Sequence, residues 1–254
     1  NGTRVLTSSG HTGQLWDVNT GQPLGEEIKY KEKYFGSNLN CDGTYAVVND
    51  STVKFRNVFT GQQYSKPITH EESNVVFPEL RNIDFSLDDT RMVTVIKNTA
   101  QLWITETNQP VGIPIYPGGL IDYASFSTNG TRIITVSGDN TEIVRLWNAD
   151  TSAPLGVSMK HGSKVWGASI SADNTRVVTA SEDGTARIWN ASTGHLVGEP
   201  MKHGDWVLFA NFDNDGTQVV TISKDGGVWL WDAKTGQSIR ESVLHTKKDI
   251  ERQD

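Results

Sequence analysis

The sequence predicts an all-β propeller of six four-stranded blades, the first lacking its innermost strand, with seven or more blades as the alternative for a longer native chain, and three observations carry that prediction. A turn residue followed by threonine recurs at Asn1-Gly2-Thr3, Asp42-Gly43-Thr44, Asp88-Asp89-Thr90, Asn129-Gly130-Thr131, Asp173-Asn174-Thr175 and Asp215-Gly216-Thr217, with the threonines 41, 46, 41, 44 and 42 residues apart. Each is followed by an apolar pair or its remnant: Leu15-Trp16, Phe55-Arg56, Leu102-Trp103, Leu146-Trp147, Ile188-Trp189 and Leu230-Trp231. Between these marks lie short alternating runs rich in β-branched residues, such as Arg176-Val177-Val178-Thr179, which suit a pleated and packed surface. A period of about 40–45 residues holding several short strands is the signature of a propeller blade. One domain over residues 1–246 and a charged tail at 247–254 account for the chain.

The repeats can be taken in order. Residues 1–28 open at a hairpin turn and supply a second strand at Thr3 to Ser9, a third at Gly13 to Val18 and a fourth at Pro23 to Ile28. An incomplete blade leaves an unpaired edge, so the expectation is a chain truncated upstream. The second repeat, about 33–67, is degenerate, with Arg56 at the tryptophan position, although Val53 and Phe55 keep the alternation. The third carries extra residues from Glu71 to Pro78 before an inner strand at about Leu80 to Phe85, and the fourth puts Pro117-Gly118-Gly119 where others have His-Gly. Repeats five and six, about 161–200 and 203–243, are the most regular. Their Asp-Gly turns, like Asn-Gly in the fourth, predict type I′ hairpins. No helix of useful length is expected.

The run His-Gly, strand, turn, strand, Ser-x-Asp-Gly-Thr, then Ile/Leu-Trp-Asp/Asn resembles the WD40 repeat family, and Trp189-Asn190-Ala191-Ser192-Thr193-Gly194 and Trp231-Asp232-Ala233-Lys234-Thr235-Gly236 are similar to the bacterial tandem variety. The resemblance implies a hydrogen-bonded tetrad inside a blade, formed by His161, Thr179, Asp183 and Trp189 in repeat five and by His203, Thr221, Asp225 and Trp231 in repeat six. A buried imidazole, hydroxyl and indole each need a partner, and they can satisfy one another in a chain. That reading is set against a catalytic His-Ser-Asp arrangement, which would also need an oxyanion site and an accessible hydroxyl.

Composition narrows the function. With 23 basic against 30 acidic residues, a broad basic surface for nucleic acid is not expected. The six histidines show no metal-ligand spacing, the single Cys41 reads as a small buried thiol, and no glycine-rich phosphate loop opens a helix, so no metal and no cofactor are expected. Sequons at Asn1, Asn49, Asn129 and Asn190 read as turn chemistry. There is no membrane-spanning run and no leader pattern, and the expected compartment is the cytoplasm.

The loops entering the inner strands make one face of a propeller. Aligned on the threonines, one ring of positions holds Phe35, Arg81, Asp122, Trp166 and Leu208, and a second holds Lys33, Glu79, Leu120, Lys164 and Trp206. Asp205 precedes Trp206, while Glu182 and Lys224 precede the tetrad aspartates. The resemblance implies that such positions contact a protein or peptide partner, often as the recognition part of a larger signalling protein. Two other classes stand beside this interaction platform. One is an enzyme at the channel mouth using Glu79, Asp122 and Glu182. The other is a structural module that self-associates through the first-blade edge.

Overall fold

A computed structural model describes residues 4–9, 12–29, 37–39, 44–49, 52–57, 68–69, 80–138 and 143–243. These residues are all-β, and none of them is helical. The first sheet joins β1 (Arg4–Ser9), β2 (Thr12–Asp17) and β3 (Pro23–Lys29); the second joins β4 (Ser37–Leu39), β5 (Thr44–Asn49), β6 (Thr52–Asn57) and β7 (Ile68–Thr69). The third holds β8 (Leu80–Phe85), β9 (Arg91–Ile96), β10 (Thr99–Ile104) and β11 (Pro110–Ile115), and the fourth β12 (Ile121–Phe126), β13 (Arg132–Ser137), β14 (Ile143–Asn148) and β15 (Pro154–Lys160). The fifth runs β16 (Val165–Ile170), β17 (Arg176–Ser181), β18 (Thr185–Asn190) and β19 (Leu196–Lys202), and the sixth β20 (Val207–Phe212), β21 (Gln218–Ser223), β22 (Gly227–Asp232) and β23 (Ser238–Val243). Each is an antiparallel meander in chain order, and the first has three strands among the described residues. The tail at 247–254 and Cys41 lie outside the described residues.

The chain divides into two compact units, Asn1–Phe126 and Ser127–Asp254. In the first, the β8 side chains of Asn82 and Asp84 accept hydrogen bonds from the β12 amides of Ala124 and Phe126, both at 3.0 Å. Val93, Val95, Ala100 and Leu102 are fully buried there, as are Ile121 and Ala124. In the second unit, one apolar cluster joins Val178, Ala180, Ala186 and Ile188 of the fifth sheet to Val207, Ala210, Phe212, Val219 and Trp231 of the sixth. Ile222 of the sixth sheet is 38% exposed where the equivalent Ala180 of the fifth is buried.

The Asn129-Gly130 turn of the fourth repeat, where type I′ is expected, has positive φ at Gly130 alone (68°), with Gly130 N–H donating to the Ser127 carbonyl at 2.8 Å, and the Asp173-Asn174 turn of the fifth is built the same way. Asn174 N–H donates to the Ser171 carbonyl at 2.8 Å, and Asn174, the closing residue, has φ of 60°. A type I′ turn needs positive φ at both central residues, whereas Ala172 and Asp173 have none, so this is a type I turn closed by one left-handed residue. Side chains select it. Ser171 Oγ donates to Asp173 Oδ1 at 2.6 Å, that oxygen accepts the Thr175 amide at 2.9 Å, and Arg176 N–H returns to Ser171 Oγ at 3.0 Å. The bond from Ser171, then that from the Thr175 amide, holds the Asp173 carboxyl down at about 2. Ser86, Asp88 and Thr90 repeat the arrangement, as do Ser127, Asn129 and Thr131.

Arginine then ties each turn to its neighbour within the second unit. Arg132 Nη1 donates to the Asn174 carbonyl at 2.9 Å, and Arg176 Nη2 donates to the Gly216 carbonyl at 2.6 Å while its guanidinium lies 5.3 Å from the Phe212 ring centre. At the other edge Gly194 has φ of 74°, and a Cβ there would strike the Val157 carbonyl; Gly236, with φ of 71°, stands in the same relation to Glu199. These glycines let the outer strand of one sheet approach the turn of the next.

A charge-assisted hydrogen bond to a carbonyl is worth about 1.5–3 kcal/mol. Arg176→Ala is therefore expected to lower the free energy of unfolding by that amount in a urea titration. An unchanged midpoint would show that this tie does not hold the fifth and sixth sheets together.

Candidate functional site

The polar residues of repeat five form one connected chain. His161, 6% exposed, sits with Nδ1 3.0 Å from Asp183 Oδ2 and Nε2 2.6 Å from Thr179 Oγ1, and Trp189 Nε1 donates to the same hydroxyl at 2.8 Å. A carboxylate only accepts, so Nδ1 carries the proton and Nε2 accepts from Thr179. Asp183 also takes the Gly162 amide at 3.1 Å, Thr185 Oγ1 at 2.6 Å and Arg187 Nη2 at 3.0 Å. Burial works against its charge, but the hydrogen bonds from His161, Thr185 and Gly162 outweigh it and hold the carboxyl well below the usual range. Thr179 is fully buried, so its hydroxyl cannot meet a substrate.

Repeat six departs from this pattern, and the expected place of Asp225 is corrected. His203 Nε2 pairs with Thr221 Oγ1 at 2.7 Å and Trp231 Nε1 donates to that oxygen at 2.8 Å, but His203 Nδ1 turns to the Met201 carbonyl at 3.1 Å. Asp225 Oδ1 accepts from Ser223 Oγ at 2.5 Å and from the Gly227 amide at 3.1 Å. The cause is two substitutions. Gly227 stands where Thr185 anchors the aspartate in repeat five, and Trp229 stands where Arg187 does. Trp229 stacks on Trp231 at 5.5 Å and meets His203 edge-on at 5.9 Å, so an aromatic wall replaces the salt bridge.

The tryptophan-to-threonine bond itself extends further than the two regular repeats. Trp16 donates to Thr7 at 2.7 Å, Trp103 to Thr94 at 2.9 Å and Trp147 to Thr135 at 2.9 Å. A threonine on the second strand, before each Leu-Trp, was the available signal.

The ring positions are set by a backbone irregularity. The register slips between Leu80 and Asn82 in β8, between Val165 and Gly167 in β16, and between Val207 and Phe209 in β20. The extra residue in each is Arg81, Trp166 or Leu208, and a bulge re-aims the side chain it carries. In the second unit this places Trp166 (40% exposed) against Trp206 (37% exposed), with ring centres 6.5 Å apart and planes 29° from parallel. Lys164 Nζ lies 4.1 Å from the Trp166 ring centre, and Lys224 Nζ lies 3.7 Å from that of Trp206. The Glu182 and Lys224 amides donate to the carbonyls of Lys164 and Trp206 at 2.9 and 2.8 Å, which pins the two entering loops to the turns beside them.

Other expected contact residues are already engaged. Glu182 accepts from Ser163 Oγ at 3.3 Å, and Asp205 Oδ1 accepts the Trp206 amide at 2.7 Å. In the first unit Arg81 and Asp122 pair with each other at 3.2 Å. Phe35, Lys33 and Glu79 lie outside the described residues. Phe209, 43% exposed, follows Leu208 and was not anticipated. Among the described residues no cluster of His, Cys, Asp and Glu could hold a metal ion, and no helix is long and apolar enough to cross a membrane.

Repeated four-stranded antiparallel sheets with an indole bonded to a threonine hydroxyl define a repeat protein of β-propeller-like blades. Residues 153–190 and 194–232 match the family model described as WD domain, G-beta repeat, and the all-β repeating strand pattern of the chain fits that family. WD40 repeats generally act as scaffolds for protein–protein interaction and are typically non-enzymatic. A comparison with the curated proteins finds no match.

Burial lowers the His203 pKa against the opposing pull of the Met201 carbonyl. The folded state then takes up this proton less readily than the unfolded chain, whose histidine titrates near ~6.5. The corresponding stability is complete above about pH 6.5 and is lost as pH falls below it. Urea midpoints followed from pH 8 to pH 5 should fall less steeply in His203→Gln than in the parent; parallel curves would assign the acid sensitivity elsewhere.

Proposed function

We propose that the chain is a non-enzymatic interaction platform, a scaffold or sensor module, that receives a protein or peptide on the Trp166–Trp206 surface of its second unit. In this reading residues 1–246 form one propeller domain of six repeats, and the bacterial-type turns support a place as the recognition part of a larger signalling protein. The observation that carries the proposal is the pair of stacked, part-exposed indoles. Large aromatics beside charges are the composition of interaction hot spots, and such residues are worth about 2 kcal/mol or more when truncated. Nothing in the folding of repeats five and six demands their exposure: the core positions beside them, Val165 and Val207, are already buried. Arg81 and Asp122 satisfy each other, so they are assigned no anchoring role.

A peptide-display selection against the parent chain tests the surface. Binders should lose about 30-fold or more in affinity to a Trp166→Ala, Trp206→Ala double variant, the equivalent of about 2 kcal/mol. Binders held equally by parent and variant would place recognition on another face.

A further inference from the structure

Asparagine followed by glycine is the pair in which a side-chain amide and the next backbone nitrogen can react, because glycine has no Cβ to hold that nitrogen away. Asn1 and Asn129 are the asparagines of this chain with glycine after them. Asn129 lies among the described residues, exposed in the turn between β12 and β13. The turn uses only one end of its amide. Asn129 Oδ1 accepts from Ser127 Oγ at 2.9 Å, from the Thr131 amide at 3.1 Å and from Thr131 Oγ1 at 2.8 Å. Among the described residues no acceptor meets Nδ2. The position therefore requires an acceptor and nothing else, which is what a carboxylate supplies.

The third and fifth repeats place a carboxylate there. Asp88 and Asp173 each accept from a serine hydroxyl, Ser86 or Ser171, at 2.6 Å, and from the amide of Thr90 or Thr175 at 3.1 or 2.9 Å. The serine bond, more than any other influence, holds both carboxyls below their ordinary range, and Arg91 or Arg176, next in the chain, adds to it. Arg132 stands at that place in the fourth repeat. Hydrogen bonds to an ionised acceptor are shorter and roughly twice as strong as neutral ones. The serine bond is 2.9 Å to Asn129 and 2.6 Å to either aspartate, in keeping with that difference.

The conversion needs only water. The Gly130 nitrogen attacks Asn129 Cγ, the bond from Cγ to Nδ2 breaks, and the proton of the attacking nitrogen leaves with the amide nitrogen as ammonia. Water then opens the cyclic imide. Opening at Cγ restores the main chain and leaves aspartate; opening at the main-chain carbonyl leaves isoaspartate, with one more atom in the backbone. The formed turn opposes the attack. Gly130 N–H donates to the Ser127 carbonyl at 2.8 Å, and three donors on Oδ1 hold Cγ in place.

We propose that Asn129 is a site of spontaneous deamidation, shut while this turn is formed and open when the turn opens, whose aspartate product rebuilds the turn more firmly than the asparagine it replaces.

The full chain kept at pH 8, in buffer and in concentrated guanidinium chloride, tests the site, with peptide mapping by mass spectrometry following residue 129. Conversion should be slower by about tenfold or more in the folded chain, because only the opened turn reacts. Equal rates, or no conversion in guanidinium chloride, overturn the site. Asn129→Asp tests the product. Its urea midpoint at pH 7 should lie above that of the parent. A carboxyl whose pKa is depressed on folding stabilises above its unfolded value, so the gain should shrink as the pH falls below about 4. A midpoint at or below the parent's, or a gain unchanged in acid, overturns the claim that the aspartate closes the turn more firmly.

Discussion

An indole N–H withdrawn from water must find an acceptor, and in four repeats it finds a buried threonine hydroxyl one strand away, as the more open Trp16 of the first also does. A donor left alone at such a place would cost about 1–3 kcal/mol. The bond spans the pairing of the second and third strands diagonally: Val177 faces Trp189 and Thr179 faces Arg187, so a slip of one residue would turn the hydroxyl to the other side of the sheet. Register, and with it the division of each strand into packed and open positions, depends on this contact. The histidine of repeats five and six then closes on the same hydroxyl and fixes where its own entering loop begins.

Much of this organisation was legible in the sequence because it is written in residues with few alternative uses. Tryptophan at a fixed place, a Ser-x-Asp-x-Thr turn and a period near 42 residues admit one kind of sheet. What escaped was set by partners that lie on a different strand or a different repeat. Asp225 keeps the expected identity and still leaves its histidine, because Gly227 and Trp229 have replaced the threonine and arginine that hold Asp183. The threonines below Trp16, Trp103 and Trp147 were not noticed because their distance along the chain varies from 9 to 12 residues. The type I′ expectation failed because the Asn129-Gly130 dipeptide suggests a two-residue loop, whereas hydrogen bonds from Ser127 and Thr131 to Asn129 build a longer one.

The candidate surface was half legible for the same reason. Alignment on the threonines brought out Trp166 and Trp206 as members of two rings, but their stacking joins different repeats and different ring positions. It follows from how the fifth and sixth sheets pack, which in turn rests on Arg176 reaching the Gly216 carbonyl and on the glycine at 236 that admits close approach to Glu199. A contact of this kind belongs to the interval between repeats and has no counterpart in the repeat as a unit.

The bulge of the inner strand bears on how such a chain changes over time. Arg81, Trp166 and Leu208 each occupy the one residue that the ladder skips, so exchanging one for another removes no rung and empties no cavity. Replacements at such places alter stability by about half a kcal/mol or less. When a repeat is duplicated, the copy inherits a complete scaffold together with one position that its own folding does not consult. Guanidinium, indole and isobutyl groups already fill that position in three repeats of this chain. Selection for a new partner can therefore act there without first having to restore the fold.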